Sequence, residues 1–509
     1  MNKIIILSAL TLTIMFSSCN ESIIDLLPTG ATEGSFYRNE EDMEKAVFGI
    51  YQKNCFFYGY LGDQNNALYP VYLLPGDDVT TPATVALENF TGLSDGNSHL
   101  GPYYQYAYQL IARANVVLDK IATIGDQVYT VKPEQRNWNK GEALFFRAYM
   151  HMNLWNVFGT VPLVTEIYSY ENSFLPNTKG TELLDQAIID LGEAATLLPA
   201  SWEARFAGRV TRNSALGLRG KALVFRGQVN NTPADFTAAI ADFNSLSGLA
   251  LTAQYSDNFN ARTENNVESL FEYQANSQTS DANPWLNNDE FSVVGDLSHW
   301  IGMYNFLPNW IGNTYATATP QIIEAYEEGD PRKAYNLNTD EPNFNIMKYV
   351  RDNVYDASSF ADWMGMSVNN PRILRYADIL LLKAEAIVRS GGNLSEAIGL
   401  INQIRERARN SVDSDSPPSA VPADRNVAET DRSTVLEWVF QERRLELAFE
   451  EGHRWWDLRR RHMTGEIDLK TYDFGSRDSG FKFEDYNIYF PIPGREVVDN
   501  EFLNQNPGY

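Results

Sequence analysis

Two runs of helical periodicity, parted by a long stretch that has none, constrain this 509-residue chain more than any other feature. Asn39 reads as a helix N-cap, and Glu40, Glu41 and Asp42 place negative charge at the positive end of the helix dipole. Met43, Ala46, Val47, Ile50 and Tyr51 then recur at helical spacing. Comparable stretches run near 103–121, 134–157, 181–198, 212–229 and 234–246, and resume at 372–389, 394–410 and 432–461. Because helices lie on both sides of the gap, one interrupted scaffold accounts for the pattern better than a string of separate domains. Residues 55–102 and 250–370 are the interruptions, rich in Gly, Asn, Asp, Pro and Tyr. Loops of that length in a compact protein are functional or carry irregular structure of their own.

The pair at 372–410 shows how such helices pack. Leu380, Ala384 and Ile387 make one apolar stripe, and Ala397, Ile401, Ile404 and Ala408 make another. Gly391-Gly392-Asn393 stops the chain between them, as in an αα-hairpin. Small residues (Ala377, Ala384, Ala386, Ala397) let the two helices approach closely. This is the physical recipe of a tetratricopeptide unit. Residues 181–229 read as a second unit with a longer loop around Arg205–Arg209. The expected fold class is all-α, with helix pairs as the scaffold (about 36–54, 103–246 and 372–509) and the ligand in the insertions.

Charge narrows the partners. Against 66 Asp+Glu stand 41 Lys+Arg, a net −25 with no basic tract, which argues against nucleic acid and anionic membrane surfaces. Two cysteines cannot build a disulfide framework. Lys3, the uncharged run Ile4–Phe16 and Ser17-Ser18-Cys19 read as a signal peptide over residues 1–18. Cys19 follows small residues as in a bacterial lipobox, although Phe16 stands where leucine is usual, and an ordinary signal peptide with a chance cysteine is the alternative. Lipidation at Cys19 leaves Cys55 as a free thiol and makes 19–509 a single globular domain on a lipid anchor.

Five groups of motifs occur in order along the chain. Asp25-Leu26-Leu27-Pro28 and Phe36-Tyr37 come first, then Arg147-Ala148-Tyr149 with Phe158-Gly159-Thr160-Val161-Pro162-Leu163-Val164. Arg372-Ile373-Leu374-Arg375-Tyr376-Ala377-Asp378 precedes Ala384-Glu385-Ala386. Glu442-Arg443-Arg444, Glu451-Gly452-His453-Arg454 and Asp457-Leu458 follow, and Tyr489-Phe490-Pro491-Ile492-Pro493 and Asn506-Pro507-Gly508-Tyr509 close the chain. Together they resemble the SusD/RagB family of outer-membrane nutrient-binding lipoproteins. The resemblance implies four tetratricopeptide-like helix pairs, a variable part that holds the ligand, and no catalysis. It also implies a cell-surface, lipid-anchored place on the outer membrane, and a TonB-dependent SusC-like transporter as partner. Family ligands are oligo- or polysaccharides, and peptides in some branches.

The charged stretch 442–461 is where catalysis would be sought. Glu442, Glu446 and Glu450 fall at i, i+4 and i+8, so paired carboxylates of an α-helical glycoside hydrolase are one reading. Structural ion pairs with Arg443, Arg444 and Arg454 are the favoured one. The five histidines have no metal-ligand spacing, Asp77-Asp78 reads as a loop cap before a cation site, and no phosphate loop or nucleophile elbow is present, so no metal or cofactor is expected. Aromatics are the better lead. Trp285, Phe291, Trp300, Tyr304, Phe306, Trp310 and Tyr315 lie among Asn, Asp, Gly and Pro at neither helical nor strand spacing. Sugar rings stack their C–H faces on such rings while Asn and Asp take the hydroxyls. A second wall is expected within 56–78, from Tyr58, Tyr60, Tyr69, Tyr72 and Asp78. The candidate ligand contacts are Trp285, Trp300, Tyr304, Trp310, Tyr72 and Asp78. A helical adaptor that binds only protein is the remaining alternative.

Overall fold

Local capping chemistry sets where the helices begin. In the computed structural model, Asn39 Oδ1 accepts the Asp42 amide at 3.0 Å and opens α1 (Glu40–Lys53). Proline occupies the first turn of α3 (Pro133–Phe158) and α6 (Pro233–Asn244), where its missing N–H costs nothing. Between them in sequence come α4 (Glu182–Leu197) and α5 (Arg212–Val229), the latter opened by a Thr211/Ser214 capping box. The long α2 (Leu100–Val128) precedes α3. After the insertion, α7 (Tyr376–Arg389) and α8 (Leu394–Asn410) form the expected hairpin around Gly391, whose φ is 79°. Asp431 caps α9 (Arg432–Glu446), and α10 (His453–Met463) follows. The structure describes residues 36–58, 68–81, 86–275, 299–300, 316–338, 345–349, 366–411, 419–475 and 481–509.

Each of these helices packs against the next in sequence, and α6 meets α7 across residues 245–375. The scaffold is therefore one continuous helical array, all-α as expected, from which the second insertion leaves and to which it returns. Three two-stranded antiparallel pairings staple the insertions: β1 (Val79–Thr80) with β4 (Thr317–Ala318), β2 (Ser269–Glu272) with β6 (Arg372–Arg375), and β3 (His299–Trp300) with β5 (Met366–Ser367). Much of the described insertion is core: Phe57, Tyr58, Tyr255, Phe259, Ile322 and Tyr349 are all buried in the main cluster. No described helix is long and apolar enough to cross a membrane.

Two glycines mark close approaches. On α5, a Cβ at Gly220 would sit 2.2 Å from a ring carbon of Phe243, so only hydrogen lets α6 lie this near. Gly159 ends α3 with φ 73°, and a Cβ there would meet the Tyr489 ring at 2.7 Å. At that turn the Phe490 amide donates to Val157 O (2.8 Å), and Asn506 Nδ2 donates to Phe158 O (2.9 Å) and Phe490 O (2.7 Å). Three of the motif stretches thus meet at one junction.

A second core cluster lies between α7, α8 and α9, where Ala377, Ala384, Ala397, Ile401 and Val439 have no solvent exposure. Forcing a large ring into such a crossing costs about 1–3 kcal/mol or more. Ala384→Trp is expected to lower the melting temperature clearly; an unchanged melting temperature would contradict this packing.

Candidate functional site

The three glutamates singled out by spacing are buried among cations. Glu442 pairs with Arg332 (2.7 Å) and Arg405 (2.9 Å); Glu446 pairs with Arg332 (3.1 Å), Arg375 (2.7 Å) and Arg407. Glu450 pairs with Lys348 (2.5 Å) and Arg375 (2.8 Å). All three carboxylates are at most 2% exposed, so no sugar ring reaches them. They are structural ion pairs, but their partners are not those expected. Arg443 instead joins Asp378 and Asp457, both at 2.7 Å, while Arg444 and Arg454 hold Asp77 and Asp78.

Nor do the three share one helix. The run expected over 432–461 breaks at 447–452, where Phe449 and Glu451 take positive φ. Remote cations cause the break: Arg375 Nη2 donates to Glu446 O (2.7 Å) and Lys348 Nζ to Ala448 O (2.8 Å). They satisfy the carbonyls that a continuing helix would have used.

Of the six expected ligand contacts, two lie in the interior. Tyr72, 3% exposed, has its hydroxyl 2.9 Å from that of Tyr103 and its ring edge-on to Trp456. It belongs to a one-turn helix (Tyr69–Leu73) packed on α10, so core packing claims the ring. Asp78 is equally buried, paired with Arg444 Nη2 at 2.7 Å, and its carbonyl accepts the Thr319 amide at 3.0 Å. Asp77 accepts two bonds from Arg454, at 2.6 and 2.9 Å, and one from the Tyr472 hydroxyl. These acids fasten the first insertion to α9 and α10. Of the expected second wall, Tyr58 and Tyr69 are buried as well, and Tyr60 lies outside the described residues. Trp285, Tyr304, Trp310 and Cys19 also lie outside them. Trp300 is placed by its backbone, paired with Met366 in β3–β5.

What the structure adds is the footing of that aromatic segment. Residues 59–67 leave from Tyr58, residues 276–298 from Ala275, residues 301–315 from Trp300 and residues 350–365 from Tyr349, and these departure points converge. Tyr58 stacks on Tyr273 with ring centroids 4.9 Å apart. The Tyr273 amide donates to Pro371 O (3.1 Å) and that of Ala275 to Asn370 Oδ1 (2.7 Å). Asn369 Nδ2 donates to Tyr349 O at 3.2 Å, and the Cys55–Tyr58 helix touches β3. Spacing could not find this footing, because its residues come from five separate segments.

Beneath it, the Tyr58 hydroxyl donates to Glu451 at 2.8 Å. Burial pushes the Glu451 carboxyl up to about 8, against the pull of the Tyr58 hydrogen bond. The folded chain therefore keeps this proton up to about pH 8, whereas the unfolded chain loses it near the ordinary 4.5. The corresponding stability is full below the unfolded value and is lost as pH rises toward 8. Glu451→Gln removes the titration, so its melting temperature relative to the parent should rise between pH 5 and pH 9. A constant offset would contradict the assignment.

Two of the clefts on the described surface bear on ligand binding. One of about 680 Å³ is lined by Arg405, Arg425, Arg444, Arg454 and Arg461 with Glu327 and Glu437. Most of its guanidinium groups are engaged by carboxylates (Arg405 by Glu327 and Glu442, Arg461 by Glu437), so it offers ion pairs rather than flat apolar rings. The other, of about 430 Å³, is lined by Tyr104, Tyr108 and Phe174 with amides and two acids.

With the helical array and the insertion footing in place, comparison with known proteins is direct. A family model described as SusD family matches residues 227–509, and one described as "Starch-binding associating with outer membrane" matches residues 86–227. "SusD-like protein P2" of Formosa agariphila is 25% identical over 518 residues, covering 93% of this chain and 94% of the relative. A solved SusD homolog from Bacteroides thetaiotaomicron, 21% identical, superposes with a TM-score of 0.76 over 94% of this chain and 99% of its own. A surface glycan-binding protein A from Bacteroides uniformis, 20% identical, gives 0.71 over 92% and 99%. On the match over more than half its length, supported along nearly all of it by these relatives, the chain belongs to the SusD family.

Proposed function

We propose that this protein is a cell-surface lipoprotein, anchored in the outer membrane through Cys19, that captures an oligo- or polysaccharide and passes it to a SusC-like TonB-dependent transporter. Family membership carries the reading, and a structural neighbour described as a surface glycan-binding protein supports it. The name of the family model matched at residues 86–227 adds starch as a ligand class and the outer membrane as the place. In this reading Trp285, Trp300, Tyr304 and Trp310 supply the stacking platforms. The protein performs no chemistry on the glycan, in keeping with the burial and ion pairing of Glu442, Glu446 and Glu450.

Binding of the intact protein to starch, laminarin, xylan, pectin and a casein peptide digest tests the ligand class. Trp300→Ala and Trp310→Ala are each expected to lower affinity for the glycan that binds by about tenfold or more, with melting temperature nearly unchanged. Tryptophans belonging to the core would instead cost about 3–5 kcal/mol of stability. Steady release of reducing ends from any polysaccharide, or binding of peptide alone, would overturn the proposal.

A further inference from the structure

The 430 Å³ cleft owes nothing to residues 250–370. Its walls come from α2 (Tyr104, Tyr108, Gln109), from the segment after α3 (Phe174), and from the C-terminal segment (Glu496, Asp499). Its size is that of a small-molecule site. The rings are held in place. Tyr104 and Tyr108 pack with centroids 4.7 Å apart, the Tyr108 hydroxyl donates to Pro162 O at 2.7 Å, and Tyr170 braces Phe174 edge-on at 5.4 Å.

Three features describe what would fit there. First, Gln109 Oε1 is buried on the cleft wall without a hydrogen-bond partner. A buried acceptor left so is costly unless a donor arrives. Second, the polar wall residues (Gln105, Gln109, Ser173, Glu496, Asp499 and Asn500) include no Lys or Arg, although Arg495 Nε pairs with Asp499 at 3.4 Å, so the wall is rich in acceptors for hydroxyl donors. Third, exposed rings adjoin lining residues: Tyr170, 77% exposed, packs edge-on against Phe174, and Phe502, 53% exposed, precedes Leu503 in the chain. The half-buried Tyr108 and Phe174 rings, amide and carboxylate acceptors, and no Lys or Arg among the lining residues are the chemistry that holds a neutral sugar ring, face to aromatic and hydroxyl to acid.

We propose that this cleft is a second saccharide subsite, built on the helical scaffold and separate from the insertion, that takes a neutral sugar unit of the same glycan. The inference rests on the glycan-binding reading. Two subsites on one chain raise the affinity for a long glycan above that of either alone, provided both are reached at once.

Calorimetric titration of the intact protein with maltoheptaose, starch and laminarin tests it, with polygalacturonate as the anionic comparison. Phe174→Ala and Gln109→Leu should each weaken polysaccharide binding about threefold to tenfold while leaving the melting temperature within a few degrees. Binding that survives in the Trp300→Ala/Trp310→Ala double variant should vanish when Phe174→Ala is added. Should Phe174→Ala unfold, Gln109→Leu decides, since it nearly keeps side-chain volume and removes the carboxamide with its unpaired acceptor. Parent-like binding by both variants overturns the subsite while leaving the insertion site standing. Variants that keep full glycan affinity but lose hold of the transporter also overturn it, making the cleft a protein contact. A parent that binds no neutral glycan overturns the underlying reading and the subsite together.

Discussion

One guanidinium ties the insertion to the scaffold. Arg375, at the end of β6 and the start of α7, donates to Glu268 (2.8 Å), Glu446 (2.7 Å), Glu450 (2.8 Å) and the Glu446 carbonyl (2.7 Å), with about 1% of its surface exposed. Glu268 belongs to the root of the second insertion, Glu446 ends α9, and Glu450 lies within the bend between α9 and α10. Burial favours the neutral form of Glu268, yet Arg407 and Arg375 hold its carboxyl down to about 2. Taking one member away strands charges in a low-dielectric interior, where an unpaired ion costs about 3–5 kcal/mol. The root of the insertion is fixed for that reason, and loops leaving from it start at defined positions.

The same device recurs through the array. Asp378 joins α7 to Lys221 of α5 and Arg443 of α9, and Glu385 of α7 meets Arg460 of α10. Earlier, Arg147 of α3 grips Asp190 of α4, and Arg209 grips Glu142. Many buried acids are thus met by buried arginines or lysines, while the chain as a whole keeps a net charge of −25. A net charge of that sign suits a neutral glycan far better than a polyanion.

How much of this the sequence discloses depends on distance along the chain. Asn39, Gly391 and the alanines of α7 and α8 act on neighbours within one or two turns, and periodicity finds them. The break at 447–452 depends on Arg375 and Lys348, some 70 and 100 residues away, so the glutamate spacing reads as one helix until those cations are placed. Tyr72 and Asp78 looked like ligand contacts because local composition cannot tell a ring that packs on Trp456, or an acid that meets Arg444, from one that faces a sugar. The 430 Å³ cleft draws on residues 104–112, 162–174 and 496–503, and no local signal joins them. The family resemblance was legible because its motifs are junction residues, as at Gly159, Tyr489 and Asn506.

The central claim is that the insertion rooted at Arg375, Tyr58 and Tyr273 is where the glycan sits. Hydrogen–deuterium exchange of the intact protein, with and without a saturating amount of whichever polysaccharide it binds, tests that most directly. The account predicts that glycan-dependent protection concentrates in peptides from 276–315 and 350–365, with α8 and α9 unchanged. Protection confined to α8–α10 around the arginine-lined cleft, with none in 276–315, would contradict it.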